Sequence, residues 1–236
     1  MPYLKKSTME QIAERVLDAY WLLPQAAKDT ATRVVPELLA QEIVGLSIEY
    51  WHLSPDMSIL GQTSCQPGYV KVADGQGHLR SVFMTGSKIL IEQELKDDPT
   101  QFGRHNYTVM HETCHQIFKI LFPQSYLQNM VHFCRSTNQT GDWEEWRTNY
   151  LASAILMPKS LIIRNMEAVG LGTKMPRLNR IFNNADYNRF CEVAERLGVS
   201  KTALSIRMEE LGILKENYLK DPLALPRVSV GRYERF

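Results

Sequence analysis

Apolar residues at helical spacing open the chain. Ser7-Thr8-Met9-Glu10 has the form of a capping box, and apolar positions then recur every three or four residues as far as Tyr20. This pattern predicts an amphipathic helix that covers one side of the core. A second helix is expected between Pro36 and Gly45, because proline suits the first helical turn and glycine suits a helix end.

Between residues 46 and 91 the pattern changes to short strands. Leu46–Trp51 alternates and is rich in β-branched and aromatic residues, which favours a strand. Four more strand candidates follow, at residues 59–63, 69–73, 80–85 and 88–91. Turn residues separate them, among them Pro67-Gly68, Asp74-Gly75 and Gly86-Ser87. Together these stretches predict a small, mainly antiparallel sheet.

Helical patterns return in the second half of the chain. Tyr107–Leu121 is strongly apolar and predicts a helix that stops before Pro123. Residues 124–140 have a weaker pattern, which we interpret as a helical stretch followed by a polar loop. The next strong helix is expected between Asp142, as its cap, and Pro158.

The last third of the chain predicts a helix at residues 161–171, an irregular basic linker at 172–186, and then a pair of helices. The pair is expected at residues 189–197 and 201–211, with a turn at Gly198-Val199 and Ser200 as the second cap. Its small residue, turn glycine and apolar anchor, Ala194, Gly198 and Leu204, have the spacing typical of a helix-turn-helix.

Composition narrows the classes of function. The 236 residues carry a net charge of +1, which argues against a broad surface for nucleic-acid phosphates. The four cysteines show no paired spacing, so we expect reduced thiols. No apolar stretch approaches the length of a membrane span, and the N-terminus lacks the apolar run of a signal peptide. We therefore expect a cytoplasmic protein without a membrane partner.

The strongest chemical signal lies in the apolar helix at 107–121, where His111, Glu112 and His115 spell H-E-x-x-H. Residues four apart lie on the same helix face, so the two histidines can bind one metal ion. Glu112 can reach a water on that ion and act as general base, because zinc lowers the pKa of bound water to about 7. The motif predicts attack of this water on a polarised carbonyl, with an amide bond as the usual target.

A third ligand is expected downstream. Positions 145, 148, 149 and 152 form a stripe of small or polar residues on an otherwise apolar helix, which suits a helix packed against the metal site with Glu145 facing it. Glu144 is the rival ligand, because helical phase alone does not separate adjacent residues. Both glutamates also have an explanation without a metal, since acidic residues suit the first turn of a helix.

Two segments of the chain carry a paired signature. The first is His111-Glu112-Thr113-Cys114-His115, and the second runs from Glu145 to Pro158 as E-W-R-T-N-Y-L-A-S-A-I-L-M-P. Together they resemble the ImmA/IrrE family of metallopeptidases, whose signature is H-E-x-G-H followed by E-x-x-A-N-x-F-A-x-x-L-L-M-P. The resemblance extends over roughly residues 8–214.

The resemblance implies that His111, His115 and Glu145 bind the metal and that Glu112 is the base. Zinc is the expected metal, and manganese is an alternative because this ligand set is not exclusive to zinc. Three residues depart from the signature: Cys114 replaces glycine, Thr148 replaces alanine and Leu151 replaces phenylalanine. None removes a group that the mechanism requires, and we expect Cys114 to pack as a small apolar residue.

The expected fold class is α+β. Residues 1–171 would form a zincin-like metallopeptidase core, and residues 172–236 would hold the linker, the helix-turn-helix-like pair and a tail. The resemblance implies a zinc endopeptidase whose protein substrate is a helix-turn-helix transcriptional repressor, cut to switch on genes of a mobile element or a stress response. The alternative is a DNA-binding or antitoxin-like regulatory protein whose metallopeptidase fold is only a scaffold.

Two further expectations concern binding surfaces. Lys88–Ile91 is the candidate edge strand on which an extended peptide could pair, although an interior position fits the sequence equally well. In the segment 189–214, Lys201, Thr202, Ser205 and Arg207 could enter a DNA major groove. The near-neutral charge and Glu209-Glu210 argue against that, so we favour a structural or substrate-docking role for this segment.

Overall fold

The computed structural model describes residues 4–73, 78–126, 131–135 and 143–223, and its fold is α+β, as predicted. The helices are α1 (Lys6–Tyr20), α2 (Pro36–Leu38, continued by a π-helical turn over Leu39–Ile43), α3 (Gln93–Asp97), α4 (Phe102–Leu121), α5 (Pro123–Tyr126), α6 (Trp143–Leu156), α7 (Lys159–Ala168), α8 (Asn184–Leu197) and α9 (Lys201–Glu210). The strands are β1 (Ser47–Trp51), β2 (Ile59–Ser64), β3 (Gly68–Ala73), β4 (Leu79–Met84), β5 (Lys88–Glu92), β6 (Val131–Arg135), β7 (Met175–Leu178) and β8 (Leu214–Asn217). The predicted turn at Asp74-Gly75 and the predicted cap Asp142 lie outside the described residues.

The five strands between residues 46 and 92 belong to two separate sheets rather than one, and β6 joins the larger of them. Four strands pair in the order β1-β5-β2-β6, and β3 and β4 form an antiparallel hairpin of their own. Within the four-stranded sheet β2 is antiparallel to both neighbours, whereas β1 and β5 are parallel. The parallel pair is possible because the long segment between β1 and β5 returns the chain to the same end of the sheet.

The prediction of Lys88–Ile91 as an edge strand is wrong. The strand that contains it, β5, pairs with β1 on one side and with β2 on the other. Ile89, Leu90 and Ile91 are all fully buried. An unbroken apolar run of this kind is typical of a strand covered on both faces.

Helix α1 begins at Lys6, one residue before the predicted capping box, and no side chain caps its first turn. The capping box is therefore wrong. Its acidic member, Glu10, instead accepts hydrogen bonds from the side chains of Arg207 and Tyr150. These long-range bonds occupy the carboxylate that a capping box would direct back toward Ser7.

Residues 131–135 form strand β6 rather than the predicted helix. This strand pairs antiparallel with β2, from the pair Ile59 and Arg135 to the pair Ser64 and Val131. Pairing with β2 therefore determines the structure of these residues, although their local pattern suggested a helix. Periodicity in a single sequence does not detect such pairing.

The segment at 172–186 contains a short strand instead of an entirely irregular linker. Strand β7 pairs in parallel with β8, which directly follows α9. The predicted helix pair is present: Gly198 has a positive φ of 67° between the two helices, and the Ser200 side chain accepts a hydrogen bond from the Ala203 amide. A φ in this range suits glycine because other residues pay a steric cost there.

Helix α4 lies between the four-stranded sheet and helix α6. On one side Val109 packs in a cluster with Leu60, Ile89 and Ile91. On the other side, in a second cluster, buried residues of α4 pack with buried residues of α6: Met110, Cys114, Phe118, Leu151 and Ile155. This packing fixes the faces of α4 and α6 relative to each other. None of the helices in the described part of the chain is long and apolar enough to cross a membrane.

Candidate metal centre

Helix α4 carries both motif histidines on the face that meets α6. His111 and His115 are buried, and their Nε2 atoms lie 3.2 Å apart. This arrangement follows from their spacing, because residues four apart on a helix stand one above the other. The two imidazoles therefore present one nitrogen each to the same point between the helices.

The third donor comes from α6. Glu145 places Oε2 3.2 Å from His111 Nε2 and Oε1 3.3 Å from His115 Nε2. Among the described residues, these three side chains form the one group of histidine, cysteine and acidic ligands that could hold an ion. Glu144 does not belong to that group.

The three donor atoms fit the size of a metal ion. Zinc bonds of about 2.0–2.2 Å in a tetrahedral arrangement separate neighbouring ligand atoms by about 3.3–3.6 Å. The two histidine nitrogens lie 3.2 Å apart, and each lies 3.2–3.3 Å from a different oxygen of Glu145. With one ligand atom taken from each residue, the three donors lie within 4.8 Å of one another. Two neutral imidazoles and a carboxylate are also the donor types that zinc and manganese accept. On geometry and chemistry the residues present can hold such an ion.

The charge of Glu145 suits a ligand. Burial alone raises its pKa, but hydrogen bonds and electrostatic interactions with His111 and His115 outweigh that effect and hold the pKa well below its usual range. Glu145 is therefore ionised at neutral pH, which is the state a ligating carboxylate needs.

Glu112, the residue after His111, lies against the sheet. Its side chain is completely buried, and the backbone of β2 passes directly over it at Gly61. A β-carbon at position 61 would lie 2.7 Å from Glu112 Oε1 and 2.8 Å from Thr108 Cγ2. With both side chains in these positions a β-carbon at residue 61 would overlap them, so the absence of a side chain at Gly61 makes room for the Glu112 carboxylate.

A hydrogen-bonded chain reaches His111 from its other nitrogen. His111 Nδ1 lies 3.0 Å from Asn149 Oδ1, and the Tyr107 hydroxyl donates to the same oxygen at 3.0 Å. Tyr107 precedes His111 by four residues and Asn149 follows Glu145 by four, so both stand on the faces that form the site. The sequence indicated these faces, but the contacts were not predicted.

Cys114 packs as predicted. Its side chain is completely buried among the apolar residues between α4 and α6, and burial raises the pKa of its thiol well above the ordinary value. The thiol is therefore protonated at neutral pH, and this state makes it a poor metal ligand. It does not belong to the group formed by His111, His115 and Glu145.

The helix pair at the C-terminal end presents little of the surface that DNA binding would need. Of the four residues considered for a major groove, Ser205 and Arg207 are buried. Arg207 is bound to both oxygens of Glu10, at 2.6 and 2.9 Å, and to the Met157 carbonyl at 3.2 Å. Only Lys201 and Thr202 of the four remain exposed.

Comparison with known proteins adds no family to this description. No protein-family model matches the chain. No curated protein matches it at a significant level either. The chemistry of the site is therefore interpreted from its own residues and their geometry.

Proposed function

We propose that this chain is a metal-dependent endopeptidase with a zincin-like core. The observation that carries the proposal is the convergence of His111, His115 and Glu145, each of which offers one ligand atom within 4.8 Å of the others. Glu112 supplies the other necessary group, a carboxylate in the residue next to a ligand. This combination of three protein ligands and a neighbouring carboxylate is the arrangement that metal-assisted amide hydrolysis requires.

Each residue has a defined task in the proposed reaction. His111, His115 and Glu145 hold the metal, zinc or manganese, which when bound polarises the substrate carbonyl and lowers the pKa of its water to about 7. Glu112 accepts a proton from that water as its oxygen bonds to the carbonyl carbon. The same carboxyl group then delivers the proton to the amine nitrogen as the C–N bond breaks. The products are two fragments, one with a new carboxyl terminus and the other with a new amino terminus.

The proposed substrate is a protein, specifically a helix-turn-helix transcriptional repressor in the cytoplasm. Support for it comes from the resemblance of the His111–His115 and Glu145–Pro158 segments to the ImmA/IrrE signature. Cleavage would remove the repressor and switch on genes of a mobile element or a stress response. The site geometry itself supports amide hydrolysis, and the choice of repressor rests on the resemblance.

A cleavage assay tests the proposal. The zinc- or manganese-loaded full chain would be incubated with helix-turn-helix repressors encoded beside its gene, and fragments would be identified by mass spectrometry. We expect one specific cut with the wild type and a loss of about 10²–10⁴-fold in rate with Glu112→Gln, which removes the base but keeps the side-chain shape. Equal cleavage by the wild type and Glu112→Gln would contradict the proposed role of Glu112.

A second candidate is a regulatory protein that binds DNA through residues 189–214 without cleaving anything. The helix pair with its glycine turn favours this function. The buried position of Arg207 and its bonds to Glu10 weigh against it, since phosphate contacts need exposed basic side chains. We therefore rank it below the peptidase.

A further inference from the structure

Tyr107, Asn149 and His111 form a continuous hydrogen-bonded chain behind the proposed metal site. Asn149 Oδ1 lies 3.0 Å from His111 Nδ1 and accepts a hydrogen bond of 3.0 Å from the Tyr107 hydroxyl. The same hydroxyl lies 3.2 Å from the Asn149 backbone oxygen. The single proton of the Tyr107 hydroxyl is thus shared between two acceptors of the same α6 residue, with the shorter distance to the amide oxygen.

The chemistry of these atoms determines the state of the His111 ring. An amide oxygen only accepts hydrogen bonds, so the contact at 3.0 Å requires a proton on His111 Nδ1. In a neutral imidazole the other nitrogen then carries the lone pair. That nitrogen, Nε2, is the atom that faces Glu145 Oε2 at 3.2 Å.

The other tautomer of His111, with its proton on Nε2, competes with the one that Asn149 favours. The Glu145 carboxylate beside Nε2 favours a proton on that nitrogen, and a ring protonated there offers no lone pair to a metal. The Asn149 oxygen favours the opposite tautomer, in which Nε2 is free to ligate. Tyr107, through its bonds to Asn149, favours the orientation in which the amide oxygen faces His111.

We infer that Asn149 and Tyr107 are positioning residues that select the metal-binding tautomer of His111. This inference rests on the proposed metal site and adds residues outside its ligand set. Ligands supported in this way bind metal more tightly, and loss of such a support typically weakens metal affinity by about 10–100-fold. Asn149 acts on His111 directly, whereas Tyr107 acts through Asn149.

The variants are chosen to separate this role from simple packing between α4 and α6. Asn149→Leu removes the acceptor and keeps the side-chain size. Asn149→Asp keeps an acceptor and adds a charge that favours the same tautomer. Tyr107→Phe removes only the hydroxyl group, and Tyr187→Phe, at a half-buried tyrosine of α8, is the matched control.

Two measurements on the full-length chain test the inference. Zinc affinity would be measured by competition with a chromophoric chelator, and the protonated ring nitrogen of His111 would be identified from ¹⁵N chemical shifts of the zinc-loaded protein. We expect affinity to fall about 10–100-fold in Asn149→Leu and up to about tenfold in Tyr107→Phe. Asn149→Asp should bind zinc at least as tightly as the wild type, with Nδ1 still protonated, and Tyr187→Phe should be unchanged.

The possible failures are distinguishable. If the wild type binds zinc and Asn149→Leu binds it equally well, the positioning role is wrong while the metal site stands. The same conclusion follows if Asn149→Asp binds zinc as weakly as Asn149→Leu, because a packing defect would then explain both. If the wild type binds no zinc, the proposed metal site fails and this inference fails with it. Should Asn149→Leu not fold, Asn149→Asp and Tyr107→Phe, which exchange or remove single polar groups, decide the question.

Discussion

Gly61 and Glu112 meet across the interface between strand β2 and helix α4, and a β-carbon on Gly61 would lie 2.7 Å from the Glu112 carboxylate oxygen. Gly61 does not have a positive φ, so its lack of a side chain, rather than its backbone conformation, is what the structure requires. The strand can therefore lie directly against the proposed base, in space that a side chain at residue 61 would occupy.

Gly61→Ala should accordingly damage the proposed reaction more than the metal site. The added methyl group must displace Glu112, Thr108 or the strand, and overpacking of this kind costs about 1–3 kcal/mol of stability. We expect cleavage to fall at least about tenfold while zinc affinity changes little, because the three atoms nearest the added carbon belong to Glu112 and Thr108, neither of which is a ligand. Gly68→Ala is the control, since a β-carbon there meets nothing within 4 Å. Full activity of Gly61→Ala would show that the position of Glu112 is not restricted in this way.

The ion pair between Glu10 and Arg207 ties α1 to α9 and predicts a pH-dependent stability. Burial raises the Glu10 pKa, but hydrogen bonds from Arg207 and Tyr150 outweigh it and lower the pKa below 4.5. A carboxyl group whose pKa is lowered by folding stabilises the fold at pH above its unfolded pKa, and that stabilisation disappears as the pH falls through the folded pKa.

Glu10→Gln should therefore lower the free energy of unfolding by about 1–3 kcal/mol at pH 7, because the buried Arg207 loses its charged partner. The difference from the wild type should shrink as the pH falls below about 4.5, the unfolded pKa, and through the lower pKa of Glu10 in the folded protein. Urea denaturation at several pH values measures both effects. Glu14→Gln, at an exposed position of the same helix, should have almost no effect. A Glu10→Gln penalty that is the same at pH 7 and pH 3 would contradict the electrostatic explanation.

The exposed surface of α9 predicts weak DNA binding. Its outward face carries Lys201 but also Glu209 and Glu210, and Arg207 is buried in the core. Few phosphates could be neutralised by such a surface, so the dependence of affinity on salt should be shallow. Fluorescence anisotropy with a labelled duplex, measured across a series of salt concentrations, tests this expectation. Tight, sequence-specific binding that is lost in Lys201→Ala would favour the regulatory function instead.

The sequence predicted the site better than it predicted the sheet. His111 and His115 meet because helical spacing alone places them on one face. This prediction needed no information about distant residues. The prediction of Glu145 as a ligand depended on one long-range assumption, that α6 packs on α4. The stripe of small and polar residues on α6 indicated this packing. Helical phase did not separate Glu145 from Glu144, and only the packing of the two helices directs Glu145 toward the histidines.

The errors all arose where distant residues decide the structure. Glu10 looked like part of a capping box, but Arg207, almost 200 positions away, binds its carboxylate. Residues 131–135 became a strand because β2 offered a free edge. The interior position of β5 depends on β1 returning beside it in parallel, and no local pattern encodes that pairing. The role of Gly61 was likewise invisible, since its neighbour Glu112 is distant in sequence.

Metal content tests the central claim most directly. Elemental analysis of the purified full chain, after zinc or manganese is supplied, should find one ion per molecule. Glu145→Ala should weaken its retention and His115→Ala should abolish it, whereas Glu144→Ala, the matched control one residue away, should retain it. Wild-type protein that holds neither metal, or that loses the ion with Glu144→Ala and keeps it with Glu145→Ala, would contradict the account.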